Sequence, residues 1–546
     1  MPLRFGFAVL LLFSSAVSAA SQDTISQLAK IRLDRTQIYS VRDITINRDV
    51  LSISLNRGTL AFTEPVHGKV TGAVFIGSGD VLAIPPDRIE KQQLYRYTKS
   101  ALLSERFETA VFRFTDTSYE EILKEHRKHA EETVDAADID QILRWESEIQ
   151  RRAVFLNDRL LSDLIGAAGR PFFMAQIEGS QLGWFDAIYD ERRVEEVLLQ
   201  QNLALADAPI VWSSFNKRSE VRDPASFAHE DKSQFDIMSI DPGGTQVNLR
   251  ARVDGERVLG LPLPSYGVVS VELADGTALP FLPSGDHVAV VLPAPTRSGA
   301  EIALRIGYAS DARPPIPAGL VNTTDALFPA SYRDQWIIEA FSRYASALAN
   351  PATFPQARDQ LLAVSPEGGS FESLGPVWIG FRLMQPRTNP SYAEAFSAKS
   401  VWILHMLRQV LQREGGAPAF GRMVDEIQTE FRGKPFSTYD LKRLAEKHAG
   451  KPLDWFFDSW IFGMGIPAYS VSFKVDPDPG GFAISGNITQ SGVPDTFEML
   501  VPVYADETYL GHVTVSSDGG EFRFVTSNKP QQVLVDPRRT LLTRAN

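Results

Sequence analysis

The feature that most limits what this chain can fold into is a hydrophobic period that changes several times along its length. Segments such as "VLSISLNRGTLAFTEP" and "GAVFIGSGDVLAIPP" are short apolar runs closed by Gly, Asp and Pro, the pattern of strands joined by tight turns. Between Ser118 and Ala168 the spacing becomes helical, in "YEEILKEHRKHAEETV" and "IDQILRWESEIQRRAVFLNDRLLSDLIGAAG". Strands resume at "PFFMAQIEG" and continue through "QVNLRARVDG", "VVSVELADG", "HVAVVLPAP" and "EIALRIGYA", with Asp275-Gly276 as a hairpin signal. The proline-rich "DARPPIPAG", Asp311 to Gly319, opens a second helical region, and from Tyr469 the period returns to two.

A chain of 546 residues with these switches is too long for one core. The pattern predicts an α+β multidomain fold: an N-terminal β-rich region with inserted helices, a helical lobe, and a terminal β-sandwich. The expected boundaries are 1–20 for a leader, 21–232 for a mixed β/α domain, 233–312 for a β-domain, 313–466 for the helical lobe and 467–546 for the sandwich. Within the lobe, a helix from Phe396 to Glu414 ends at Gly415-Gly416, where a left-handed cap is available. The next helix carries Phe420, Val424, Ile427 and Phe431 on one face. Ser437 and Asp440 form a capping-box pair, Phe436 and Leu441 can staple that entry, and Gly450 closes the helix. The aromatic-rich "PLDWFFDSWIFGMG" belongs in a core or an interface.

The first twenty residues, "MPLRFGFAVLLLFSSAVSAA", read as a signal peptide. Arg4 is followed by an apolar run from Phe5 to Phe13 and then small residues, with cleavage expected near Ala19 or Ala20. The run is too short to span a bilayer, so no transmembrane anchor is expected. Export, to a periplasm or the extracellular space, is the consequence. The absence of cysteine rules out disulfides, a lipidated N-terminal Cys, thiol nucleophiles and thiolate metal sites, and leans toward a bacterial envelope. Losing Arg4 makes the net charge of −12 one unit more negative, which argues against nucleic acid and anionic lipid as partners. The oligomeric state is not legible.

The chemistry centres on "DQWIIEAFSRYASAL", Asp334 to Leu348. On a helix, Ile337, Phe341, Tyr344 and Leu348 share an apolar side, while Glu339 and Arg343 stand four apart as a solvated ion pair. The stretch resembles the "W-L-x-E-G-F-A-x-Y" segment of the membrane alanyl aminopeptidase family of gluzincin zinc metallopeptidases. Downstream, "AKSVWILHMLRQVL" is similar to that family's "Y-x-K-G-x-x-V-L-x-M-L" helix. "FSTYDLKRLAEKHAGKPLDWFFDSWIFGMGIPAYSV" is similar to its "L-A-E-x-x-S-G-x-D-L-x-W-F-F-x-Q-W-x-x-G-x-G-x-P" run. Upstream, the strands ending at Tyr308 resemble the end of its N-terminal β-domain. The match is most specific from Trp336 to Pro467.

The resemblance implies that the lobe is like the family's C-terminal catalytic lobe and that Glu339 stands at the third zinc-ligand position. It also implies that Trp336, Phe341, Tyr344, Ser397 and Lys399 fall at binding positions. Yet the family's H-E-x-x-H and G-x-M-E-N motifs are missing. At the family's spacing, "IPAGL", Ile316 to Leu320, occupies the place of H-E-x-x-H, with Pro317 where the general base belongs. The oxyanion-stabilising Tyr is replaced by Ser397, and the two family Gly positions are Ala340 and Ser400. Where the family has a whole thermolysin-like subdomain, only a short segment separates Tyr308 from Trp336.

The eight His are His67, His126, His129, His229, His287, His405, His448 and His512. His126 and His129 fit a solvated helix face, His405 shares a helix face with Arg408, Gln409 and Gln412 and is expected at the surface, and His448 suits a helix C-terminus. The expectation is therefore an exported pseudo-peptidase that binds a peptide or protein ligand and needs no cofactor. The alternatives are an active zinc aminopeptidase that draws ligands from elsewhere, and a structural envelope module.

Overall fold

The structure is a computed structural model that describes residues 20–129, 133–153, 156–167, 169–201, 209–217, 228–230, 232–241, 243, 245–263, 265, 267–284, 287–309, 327–350, 352–363, 375–383 and 392–544. The leader up to residue 19 and the stretch Ile316–Leu320 lie outside the described residues. The fold is α+β and multidomain, and the chain divides into two compact units. The first comprises Met1–Val221 with Glu230–Asn322, the second Arg222–His229 with Thr323–Asn546. Among the described residues no helix is long and apolar enough to cross a membrane.

The first unit begins with helix α1 (residues 20–29) and an eight-stranded antiparallel sheet whose strands follow sequence order. These are β1 (Leu33–Arg48), β2 (Leu51–Thr63), β3 (Gly72–Ala83), β4 (Leu103–Phe114), β5 (Phe172–Gly179), β6 (Gly183–Asp190), β7 (Val197–Gln201) and β8 (Ile210–Phe215). Each side of the pleat carries its own apolar cluster. Phe62, Phe75, Phe112 and Phe173 lie on one face, and Ala61, Val74, Val111 and Met174 on the other, which explains why these strands do not alternate cleanly with polar residues. Helix α2 (Arg88–Thr98) follows β3. The helical stretch after β4 is broken into α3 (Ser118–His126), α4 (Ala136–Leu143), α5 (Glu146–Ala153) and α6 (Asn157–Ile165). Leu160, Leu161 and Leu164 of α6 and Ile142 of α4 join the second cluster.

The same unit continues into two smaller sheets. One pairs β9 (Phe235–Ile240), β10 (Gln246–Ala251), β12 (Val268–Leu273) and β15 (Glu301–Tyr308); the other pairs β11 (Val258–Leu261), β13 (Phe281–Ser284) and β14 (His287–Val291). Val247, Leu249, Val271, Val290 and Ile306 form their core. The Asp275-Gly276 turn is present: Gly276 has φ 83° and Thr277 returns a carbonyl to the Leu273 N–H at 2.9 Å.

The second unit opens with β16 (Phe328–Pro329), which pairs in parallel with β17 (Pro435–Phe436). Its helices are α7 (Gln335–Ala349), α8 (Thr353–Leu362), α9 (Tyr392–Glu414), α10 (Ala419–Glu430), α11 (Thr438–Ala449) and α12 (Asp454–Trp460). The Ser437/Asp440 capping box and the left-handed Gly450 cap bound α11 as the residues require. Phe456, Phe457 and Trp460 of α12 are fully buried. On α10 the buried face is Ala419, Met423, Ile427 and Phe431, with Phe420 and Val424 at its margin, so the expected face is rotated slightly. Two three-stranded antiparallel sheets end the chain: β18 (Ala468–Asp478), β19 (Gly481–Ser491) and β22 (Gly520–Thr526), then β20 (Met499–Ala505), β21 (Thr508–Val515) and β23 (Val533–Val535).

Candidate functional site

Helix α7 is fixed at its start by a largely buried polar knot. Ser331 and Asp334 form a capping box ahead of the helix. One Asp334 oxygen accepts from the Ser331 N–H and hydroxyl at 3.0 and 2.7 Å. The other accepts from the Thr438 N–H and hydroxyl, at 2.7 and 2.8 Å. The Trp336 indole N–H then donates to the Thr438 hydroxyl at 3.0 Å. The entries of α7 and α11 are thereby tied together. Burial pushes the Asp334 carboxyl up, and the hydrogen bonds from Ser331 and Thr438 pull it back.

This anchoring sets where the rest of α7 points. Trp336 is 1 % exposed, so it packs inside rather than lining an accessible surface. One turn on, Glu339 reaches an accessible position between α7 and α9. Its Oε2 accepts from Arg343 Nε at 3.0 Å and from the Ser397 hydroxyl at 2.9 Å. The Glu339 and Arg343 side chains are 29 % and 60 % exposed. Ser397 itself is mostly buried, within reach also of the Ala393 carbonyl at 3.0 Å. Lys399 is buried in α9 and is not among the partners of Glu339.

Farther along, Ala340, Tyr344 and Ala347 of α7 pack on Val401 and Leu404 of α9, with Phe341, Phe354 and Phe420 at the edge. Here the surface position expected for His405 is overturned. The ring lies 4.5 Å from Phe354, 5.9 Å from Trp402 and 6.1 Å from Tyr344, and its Nδ1 is 3.1 Å from the Tyr344 hydroxyl. Burial, with Arg408 nearby, lowers its pKa to about 4, so the imidazole is neutral at ordinary pH. Phe354, which closes the box, comes from α8, an element with no distinct signal in the residues. His126 likewise leaves the solvated face: its ring packs on Tyr39 at 4.8 Å, with Nδ1 3.0 Å from the Ser40 carbonyl. His448 sits in the last turn of α11, 2.8 Å from Glu426.

Of the sequence-derived positions, Glu339 and Ser397 meet directly, Phe341 and Tyr344 share the adjoining apolar cluster, and Trp336 and Lys399 are enclosed. The residues around Glu339 do not fit a zinc ion. Its neighbours are a guanidinium and a hydroxyl that donate hydrogens to the carboxylate, whereas zinc requires several lone-pair donors and is disfavoured beside a cation. Among the described residues, no three His, Asp or Glu side chains are grouped to hold a metal.

No family model matches the chain, and no curated protein matches it. Among solved structures, the chain is similar to Legionella pneumophila aminopeptidase A, crystallised in complex with aspartic acid, with a TM-score of 0.36 and 10% identity. The alignment covers 57% of this chain and 60% of that one, so the chain spans less than two thirds of that protein's length. A likeness of this size fixes neither fold nor activity.

Proposed function

We propose that this chain is an exported, aminopeptidase-like protein without zinc chemistry, whose helical lobe holds a peptide or protein segment. The observation that carries the reading is the state of Glu339. The carboxylate at the remnant ligand position is occupied by Arg343 and Ser397, an arrangement that stabilises an anion and disfavours a bound dication. The motif residues agree: Ile316 to Leu320 contain no metal-ligating side chain, and Ser397 stands where the resemblance places the oxyanion-stabilising Tyr. The recognition surface is the accessible side of α7 that carries Glu339 and Arg343. A charged pair on an accessible helix face suits the main-chain amides of an extended peptide.

The test combines turnover with binding on the full chain. Aminoacyl anilides are expected to remain uncleaved with zinc supplied, while a peptide library yields binders that the Glu339→Ala, Arg343→Ala double variant loses. Zinc-dependent cleavage abolished by Glu339→Ala contradicts the proposal. So does a peptide-binding profile that the double variant leaves unchanged.

A further inference from the structure

We propose that a small monovalent anion, of the chloride class, is bound inside the first unit by Arg113 and Thr63, as the counter-charge of a guanidinium that the protein itself leaves unpaired. Arg113 lies on β4, opposite Gly72 of β3 and Met174 of β5. Side chains two residues apart share a face of the sheet. Arg113 is therefore on the side of Val111, where Val74, Met174 and the α6 residues Leu160 and Leu161 pack in one cluster. Thr63, two residues after Ala61 on β2, is on that side too. The two side chains meet over Gly72: a Cβ placed there would stand 3.1 Å from Arg113 Cδ and 3.3 Å from Thr63 Cγ2.

Both side chains are enclosed, and both hold polar atoms that the fold does not satisfy. Arg113 is 1 % exposed, and its Nε, Nη1 and Nη2 have no hydrogen-bond partner among the described residues. Thr63 is 0 % exposed and its hydroxyl is equally unpartnered. An unmade buried hydrogen bond is costly, and an unpaired buried charge costs far more. Deprotonation does not relieve Arg113, because burial lowers its pKa only to about 10. No carboxylate relieves it either. Farther along the same face, Asp163 and Asp190 are taken up by Arg159 and Arg192. Water supplies acceptor atoms but no charge. Guanidinium N–H groups and a hydroxyl are a donor set for an anion, and one positive charge calls for a single negative one. The enclosure limits the ligand to an ion small enough to be taken in as the chain folds or opens locally. The site lies in a different unit from Glu339 and is independent of the peptide-binding reading.

Urea unfolding of the full chain tests this, with sodium chloride exchanged for sodium gluconate at constant ionic strength. Wild-type stability is expected to rise saturably with chloride, as it does for a ligand that only the folded state binds. Arg113→Met should abolish the chloride dependence, and Thr63→Val should raise the half-saturating chloride roughly fivefold. A wild type indifferent to chloride overturns the proposal, and is the outcome if water alone meets the guanidinium. The wild-type chloride dependence persisting in Arg113→Met overturns it as well. So does an unchanged half-saturation in Thr63→Val, the milder variant, which keeps the test readable if Arg113→Met does not fold.

Discussion

Two carboxylates near the start of α7 have opposite circumstances. Asp334 is 3 % exposed, and each of its oxygens accepts two hydrogen bonds, from Ser331 on one side and Thr438 on the other. Glu339 has a side chain 29 % exposed, held through one oxygen by a guanidinium and a hydroxyl. The first is a structural group whose value lies in complete satisfaction. The second is accessible, so its partners can change without unfolding the helix. A site built this way can lose its chemistry while its scaffold persists.

Breaking the buried end should have the largest effect. Asp334→Ala leaves the Thr438 and Ser331 donors stranded and should destabilise the helical lobe by about 3–5 kcal/mol in denaturant unfolding. A loss below roughly 1 kcal/mol would erase the contrast with Glu339. Gly380 supports the same end, with φ 60° and a position where a Cβ would stand 2.2 Å from the Tyr332 carbonyl oxygen. Gly380→Ala should therefore cost roughly 2–3 kcal/mol, read as a lowered denaturation midpoint.

The pH response of the adjoining cluster follows from His405. Its folded pKa of about 4 lies below the ordinary 6.5, so the unfolded chain takes up the proton first. The contribution is complete above pH 6.5 and is lost as pH falls toward 4, with an amplitude of about 3 kcal/mol. His405→Gln should flatten that part of the stability–pH curve, and a variant curve with the wild-type slope would show that burial does not hold the imidazole neutral. The smallest effect belongs to the accessible end. Glu339→Gln weakens an exposed ion pair and should change stability by under about 1 kcal/mol.

Local signals in the residues were enough to define α11, because Ser437, Asp440 and Gly450 act within one helix. They were enough also for the Asp275-Gly276 turn and for the Glu339–Arg343 pair one turn apart. The Asp334–Thr438 link was not legible, since it joins residues distant in sequence and appears only when α7 and α11 pack. His405 was misplaced for the same reason. Helical spacing groups it with Arg408 and Gln409, but the ring is covered by Phe354 from α8. The Ser397–Glu339 bond lay between these cases: the resemblance had singled out both positions, and only packing of α7 on α9 brings them together.

The claim that Glu339 is a ligand position without a metal is tested most directly by zinc content. The full chain is saturated with zinc, passed through gel filtration, and measured by elemental analysis beside Glu339→Ala. The account predicts far less than one zinc per chain in both proteins. About one tightly held zinc per wild-type chain, lost in Glu339→Ala, would contradict it.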